Sequence, residues 1–220
     1  GDHRDLHYPL RRQRQMCIRD SMKPVYDGEQ TQVKAVKNDN SELLIEVTTP
    51  TNFCAQGKAG MAKVKEICYR TDYISVPSPD FESRPDASPD SLQKGKSLGT
   101  FQQVMTEEDQ HKYLADIREN LTIYKDEKIV HPGWILRMAN KALSSNVKLG
   151  PWIHVGSKIQ NFGAAHCDET LFTKTAITKS YEKKGHLFVE MDVKILNDTR
   201  CLTQISHTAI YRPRQVIPAN

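Results

Sequence analysis

The residue types capable of acid–base chemistry gather between Asp116 and Trp134. His131 stands directly before Pro132 and Gly133. Proline suits the first helical position, because its ring presets φ and its missing N–H would have no partner there. His131 therefore marks a helix entry, where the positive end of the dipole favours a neutral imidazole, and a neutral imidazole can act as a general base. A capping or core histidine accounts for the same position. Asp116 and Glu119 are candidate carboxylate partners, Tyr124 is a proton donor or a pocket wall, and Asn120 offers an amide to orient water. The backbone N–H groups of Gly133 and Trp134 fall in the first helical turn, where donors lack intrahelical partners. Such donors suit an oxygen that gains negative charge during a reaction. Gly133 has no side chain to block a substrate, although a tight helix–sheet contact would demand glycine equally well.

These residues need a helix to hold them, and the stretch from Val130 to Asn146 supplies it. Trp134, Ile135, Met138, Ala139 and Leu143 recur at helical spacing, with Arg137 and Lys141 on the other side. Upstream, Thr106 is a plausible N-cap followed by Glu107, Glu108 and Asp109, and the pattern predicts a second helix to about Asn120. The segment 121–129 reads as irregular.

The remainder reads as strand. Residues 25–64 form a predicted meander with LLIEVT (Leu43–Thr48) as its strongest member, and 152–212 form another, ending in HLFVEMDVKIL and CLTQISHTAIY. The two sets repeat in order: LLIEV answers LFVEM, and Cys54 answers Cys201, at an offset of about 141 to 147 residues. Between them 76–98 carries Pro77, Pro79, Pro85 and Pro89 among Ser and Asp, the composition of a linker that buries little.

RRQRQMCIRDS, Arg11 to Ser21, resembles translated sequencing adapter, and GDHRDLH before it resembles the adjoining primer site. Residues 1–21 are accordingly set aside as non-native, and the natural protein is expected to begin upstream of Met22 or near it. Without them the net charge falls from +4 to +2, which argues against a nucleic-acid partner. No run of roughly 18 apolar residues suggests a membrane span. The remaining cysteines, 54, 68, 167 and 201, form no CxxC pair and suggest neither a zinc site nor a disulfide framework, which fits a cytoplasmic protein.

One helix laid on a meander of antiparallel strands, doubled in one chain, resembles the hotdog fold. Tyr113-Leu114-Ala115-Asp116, the loop to Tyr124, the His131-Pro132-Gly133 helix entry and the turn Cys167-Asp168-Glu169-Thr170-Leu171 are similar to the MaoC-like, R-specific enoyl-CoA hydratases and dehydratases. The family signature, an Asp and a His five residues apart in a loop like GDxNPxH, is not intact. Glu119 stands where the Asp belongs, Tyr124 where the His belongs, Arg118 for the Gly and Thr122 for the Pro.

The resemblance implies an α+β double hotdog: a long central helix wrapped by antiparallel sheet, its first repeat truncated at the N-terminus. Residues 22–75 would form a partial first hotdog, 76–98 the linker, 99–214 the second hotdog and 215–220 a tail. It implies hydration or dehydration of an acyl-CoA or acyl-carrier-protein thioester, with His131, Glu119, Asp116, Tyr124 and Asn120 as catalytic candidates. Gly133 and Trp134 would serve the thioester oxygen, and Lys125, Lys128 and Arg137 the phosphates of coenzyme A. Coenzyme A would be part of the substrate, with no separate cofactor and no metal. A non-catalytic acyl-binding or partner subunit and a hotdog thioesterase are the rival readings, and a homodimer of doubled chains is left open.

Overall fold

The computed structural model describes residues 15–61 and 75–214. Its strands are β1 (Gln15–Ser21), β2 (Gln32–Lys37), β3 (Leu43–Thr48), β4 (Phe53–Met61), β5 (Ser97–Val104), β6 (Ile153–Asn161), β7 (Thr170–Lys183), β8 (His186–Leu196) and β9 (Cys201–Arg212). They form one sheet in the order β2-β3-β4-β1-β6-β9-β8-β7-β5. The order reads the same outward from its middle: β1, β4, β3, β2 on one side answer β6, β9, β8, β7 on the other. The strand correspondence inferred from LLIEV and LFVEM is therefore reproduced in space, where these segments are β3 and β8. At the seam β1 and β6 pair antiparallel, with Cys17 opposite Ile159 and Arg19 opposite Ser157.

The seam strand β1 lies in the segment that the sequence reading sets aside as non-native, so the first strand block extends upstream of residue 22. Nothing in its composition announces a strand. An edge offers a row of unpaired N–H and C=O groups to any extended chain, and β1 satisfies the edges of both β4 and β6 by backbone pairing.

Three helices accompany the sheet: α1 (Glu107–Asp116), α2 (Ile123–Asp126) and α3 (Pro132–Ser144). Helix α3 is the predicted central helix, with Pro132 in its first turn. It buries Ile135, Met138, Ala139, Ala142 and Leu143, and all of these but Ala142 join a cluster with Val189, Met191 and Val193 of β8 and Ile205 and Ala209 of β9. Its far end is fixed by buried Asn146, whose Oδ1 accepts from the Gly99 N–H (2.6 Å) and whose Nδ2 donates to the carbonyls of Gly99 (3.2 Å) and Ala142 (2.9 Å). Gly99 is required there, since a Cβ would lie 2.4 Å from the Ser78 Cα.

Two expectations need correction here. The stretch 76–98 is no spacer free of the core: Leu92 is fully buried in the same cluster. It is tied down by paired backbone bonds, Ala87 N–H to the Lys148 carbonyl and Lys148 N–H to that of Pro85. Isolated bridges from Pro77 to Thr100 and from Asp86 to Lys148 hold it against the rest of the fold. Cys201 is disulfide-bonded, whereas Cys54 and Cys167 are free thiols. Spacing motifs detect close pairs and say nothing of partners brought together by the fold.

Val33, Val47 and Ala55 lie in register on one face, as do Ala35, Ile45 and Gly57. Among the described residues no helix covers this face, and Val33 remains 66% exposed.

Candidate functional site

The site is assembled by the C-terminus of α1, the short α2 and the N-terminus of α3. Helix α1 begins as predicted, with the Thr106 Oγ1 accepting from the Asp109 N–H at 3.0 Å. It stops earlier than predicted, at Asp116. The Arg118 N–H bonds the Ala115 carbonyl and the Glu119 N–H that of Leu114, the paired bonds of a Schellman ending. Arg118 takes φ +54° there, a left-handed conformation usually given to glycine. The position at which the resemblance calls for Gly thus has the backbone of a Gly. Arg118→Gly is expected to stabilise the chain by about 0.5–1 kcal/mol, read as a rise in urea midpoint at unchanged slope.

This ending aims Glu119 at the helix entry. Its Oε1 accepts from the Leu121 N–H at 2.9 Å, and its Oε2 lies 3.6 Å from His131 Nε2. The His131 ring meets Tyr124 at a centroid distance of 4.8 Å and Tyr113 at 5.6 Å. Arg137 lies over the outer side of the Tyr113 ring, 5.8 Å from its centroid.

Beneath this group lies a residue that the sequence reading missed. Gln110 is 3% exposed. Its Nε2 donates to the carbonyls of Tyr124 (3.0 Å) and Ile129 (2.8 Å), and its Oε1 accepts from the His131 N–H (3.2 Å). One amide thereby fixes both segments that carry the aromatic and imidazole rings. The available signal was its place one helical turn before Tyr113 and Leu114, a polar side chain on the apolar stripe of α1.

The helix entry departs from expectation in its donors. His131 is the N-cap, and its Nδ1 accepts from the Gly133 N–H at 3.0 Å. The Trp134 N–H bonds the His131 carbonyl at 3.0 Å, and Pro132 has no N–H. Neither Gly133 nor Trp134 presents a free backbone donor, because the capping side chain and the first helical bond have taken both. A Cβ at Gly133 would lie 2.8 Å from the Tyr113 hydroxyl and 3.0 Å from His131 Nδ1, so a larger residue would have to displace these side chains.

The same cap sets the proton on His131. With Nδ1 accepting, the neutral ring carries its hydrogen on Nε2, facing Glu119. Burial lowers the His131 pKa, and the Glu119 carboxylate opposes that shift. The neutral ring is therefore a donor toward Glu119, and the carboxylate, not the imidazole, is placed to be the base. Burial raises the Tyr124 pKa, and Glu119 adds to the effect, so its phenol keeps its proton and can donate. Burial also raises that of Tyr113, against Arg137.

A depressed histidine pKa links stability to pH. The folded chain binds the proton less well than the unfolded chain, so this contribution is present above the unfolded value near 6.5 and is lost as pH falls through the folded value. The urea midpoint is expected to decline as pH falls below about 6.5. His131→Asn keeps a capping acceptor and should flatten that part of the profile.

The other predicted residues lie outside this cluster. Asp116 and Asn120 are exposed at the end of α1 and beyond it. Lys128 pairs with Glu107. Lys125 and Lys128 rim a cleft that shares Tyr124 with the site. Arg137 lines a larger groove of about 320 Å³ with Gln103, Trp134, Asn140, Lys141 and Ser144. His154 and His207 stack at 4.5 Å, with the Ser157 Oγ 2.9 and 3.1 Å from their ring nitrogens. This trio sits on β6 and β9. Among the described residues, no helix is long and apolar enough to cross a membrane.

No family model matches the sequence, and no curated protein matches it. Solved structures do share its fold. A MaoC-like dehydratase superposes with a TM-score of 0.60 at 10% identity, over 91% of this chain and 75% of its own. A putative MaoC domain protein dehydratase from Chloroflexus aurantiacus J-10-fl gives 0.55 at 8% identity, over 94% and 78%. The chain has the hotdog fold of these MaoC-like dehydratases.

Proposed function

We propose that the chain is an enoyl-thioester hydratase or dehydratase of the MaoC-like type, with Glu119 as its base. The observation that carries the reading is the Glu119–His131 pair, 3.6 Å apart against the Tyr124 ring. It offers a carboxylate and an imidazole at the place where the resemblance expects an acid–base pair, with the imidazole supplied by the helix entry instead of the loop. In hydration, the Glu119 carboxylate takes a proton from water as the water oxygen bonds to C3. The C2=C3 electrons move into the thioester enolate. The proton held by Glu119 then passes to C2, directly or in exchange with the His131 Nε2–H. With the Gly133 and Trp134 donors engaged, the enolate oxygen takes its hydrogen bonds from the Tyr124 or Tyr113 phenol.

Coenzyme A or an acyl-carrier arm would enter as part of the substrate. Arg137 and Lys141, which among the described residues pair with no carboxylate, suit its phosphates better than Lys128. The palindromic strand order supports a double hotdog, in which β1 to β4 answer β6 to β9.

The purified full chain should convert crotonyl-CoA to the 3-hydroxy thioester. Absence of turnover with crotonyl- and longer enoyl-CoA would reject the reading. A second reading, a non-catalytic acyl-binding or partner subunit, is favoured by one observation: the self-capped helix entry leaves no backbone donors for an enolate. Acyl-CoA binding without turnover, unchanged in His131→Ala, would select it. Release of free thiol from a saturated acyl-CoA would indicate a thioesterase.

A further inference from the structure

A groove of about 470 Å³ lies at the opposite end of α3 from His131, within the roughly 300–1,000 Å³ of small-molecule sites. Helix α3 holds 13 residues, so roughly 20 Å separates its two ends. Three parts of the chain line the groove: the Asp86–Ala87 stretch, the turn after α3 and the end of β9. The fold ties them together. An isolated bridge joins Asp86 to Lys148, and Leu187 of β8 faces Arg212 of β9. The Arg214 N–H donates to His186 Nδ1 at 3.1 Å, which anchors the chain just beyond β9.

Two observations point to a ligand. Tyr211 is 2% exposed and belongs to the core cluster, yet it lines the groove. Among the described residues its hydroxyl has no hydrogen-bond partner, and it is not one of the unpartnered atoms sealed from solvent. It therefore opens into the groove, where a buried phenol ordinarily finds a partner. The second observation is charge. Lys148, Arg212 and Arg214 share this lining with one carboxylate, Asp86. Among the described residues none of the four forms an ion pair. Three cations against one acid leave +2, which complements the charge of about −1.5 to −2 on a phosphate monoester at neutral pH. Ala87, Pro151 and Pro213 add apolar wall for an organic body. We propose that the groove binds a phosphate monoester of a small hydroxylated molecule, a sugar phosphate or a nucleoside monophosphate. Lys148, Arg212 and Arg214 hold the phosphate, Tyr211 donates to the ligand, and Asp86 accepts from a hydroxyl of the organic part. This site is separate from Glu119–His131 and independent of the reading given to that pair.

Calorimetric titration of the full chain tests the assignment, with glucose 6-phosphate, AMP, inorganic phosphate, glucose and adenosine as probes. At least one ester is expected to bind one to one, and about tenfold or more tighter than its unphosphorylated parent, the scale of charge-assisted hydrogen bonds. The tighter ester identifies the source. Lys148→Ala and Arg214→Ala, both at exposed positions, should each weaken that ester about tenfold at an unchanged urea midpoint. Tyr211→Phe keeps the core ring and should weaken it about threefold to tenfold. Coenzyme A carries a phosphate monoester of its own and should bind all three variants as it binds the parent. Weaker coenzyme A binding in the variants would place the substrate's phosphate here and overturn a separate site. Failure of both esters to bind, affinity no greater than that of inorganic phosphate, or indifference to all three substitutions would overturn the proposal.

Discussion

Glu119→Gln is expected to reduce kcat for crotonyl-CoA hydration by about 10²–10⁴, the range for loss of a positioned acid–base group. The substitution is selective. The amide oxygen of Gln can still accept from the Leu121 N–H, which Glu119 Oε1 now does at 2.9 Å. The Glu119 N–H to Leu114 carbonyl bond that ends α1 is backbone and is untouched. Stability should therefore stay within about 0.5 kcal/mol of the parent. What disappears is the basic carboxylate 3.6 Å from His131 Nε2. Because substrate contacts persist, KM should change far less than kcat, the pattern of an interaction used in the reaction step. Retention of activity within threefold would remove Glu119 from the mechanism, since a base cannot be replaced by a neutral amide at so small a loss. It would also return attention to the self-capped helix entry and to a binding role.

How much of this was legible beforehand depends on the range of the interaction. The start of α3 was readable because Pro132 and the apolar spacing are local, and the N-cap of α1 because Thr106 and Asp109 lie one turn apart. The strand correspondence was readable because LLIEV and LFVEM preserve an alternation that a sheet enforces. The fate of the α3 donors was not. A free first-turn N–H is the general expectation, and only the rotamer of His131 decides that its Nδ1 closes back on Gly133. That closure in turn fixes which imidazole nitrogen carries the proton, a detail that no residue spacing records.

Nor did spacing reveal that 76–98 would send Leu92 into the core. A Pro-rich composition describes the backbone available to a segment and leaves open which of its few large apolar residues reach the core: Leu92 and Leu98 do, whereas Phe81 stays exposed. The seam strand β1 was invisible for the opposite reason. Its place is set by two open edges, β4 and β6, and backbone pairing asks little of side-chain identity.

Gln110→Leu should be the most damaging single change at the site, although Gln110 touches no reacting group. Leucine fills a similar space and suits a helix, so the loss is almost wholly polar. Three backbone groups lose their partner at once: the Tyr124 and Ile129 carbonyls and the His131 N–H. Each unsatisfied buried group costs about 1–3 kcal/mol. Ile129 is 6% exposed and has little access to water, whereas the Tyr124 carbonyl is better placed to recover a solvent bond. The expected destabilisation is about 3–5 kcal/mol, read from the urea midpoint at constant slope. Gln110→Glu separates geometry from size. It keeps the acceptor for the His131 N–H but, once ionised, faces two carbonyls with no hydrogen to offer, so it should be destabilised at neutral pH and partly recover as acid restores its proton. A Gln110→Leu chain as stable as the parent would mean that the α1 stripe holds α2 and α3 by apolar contact alone. The positioning of His131 and Tyr124 would then need another explanation.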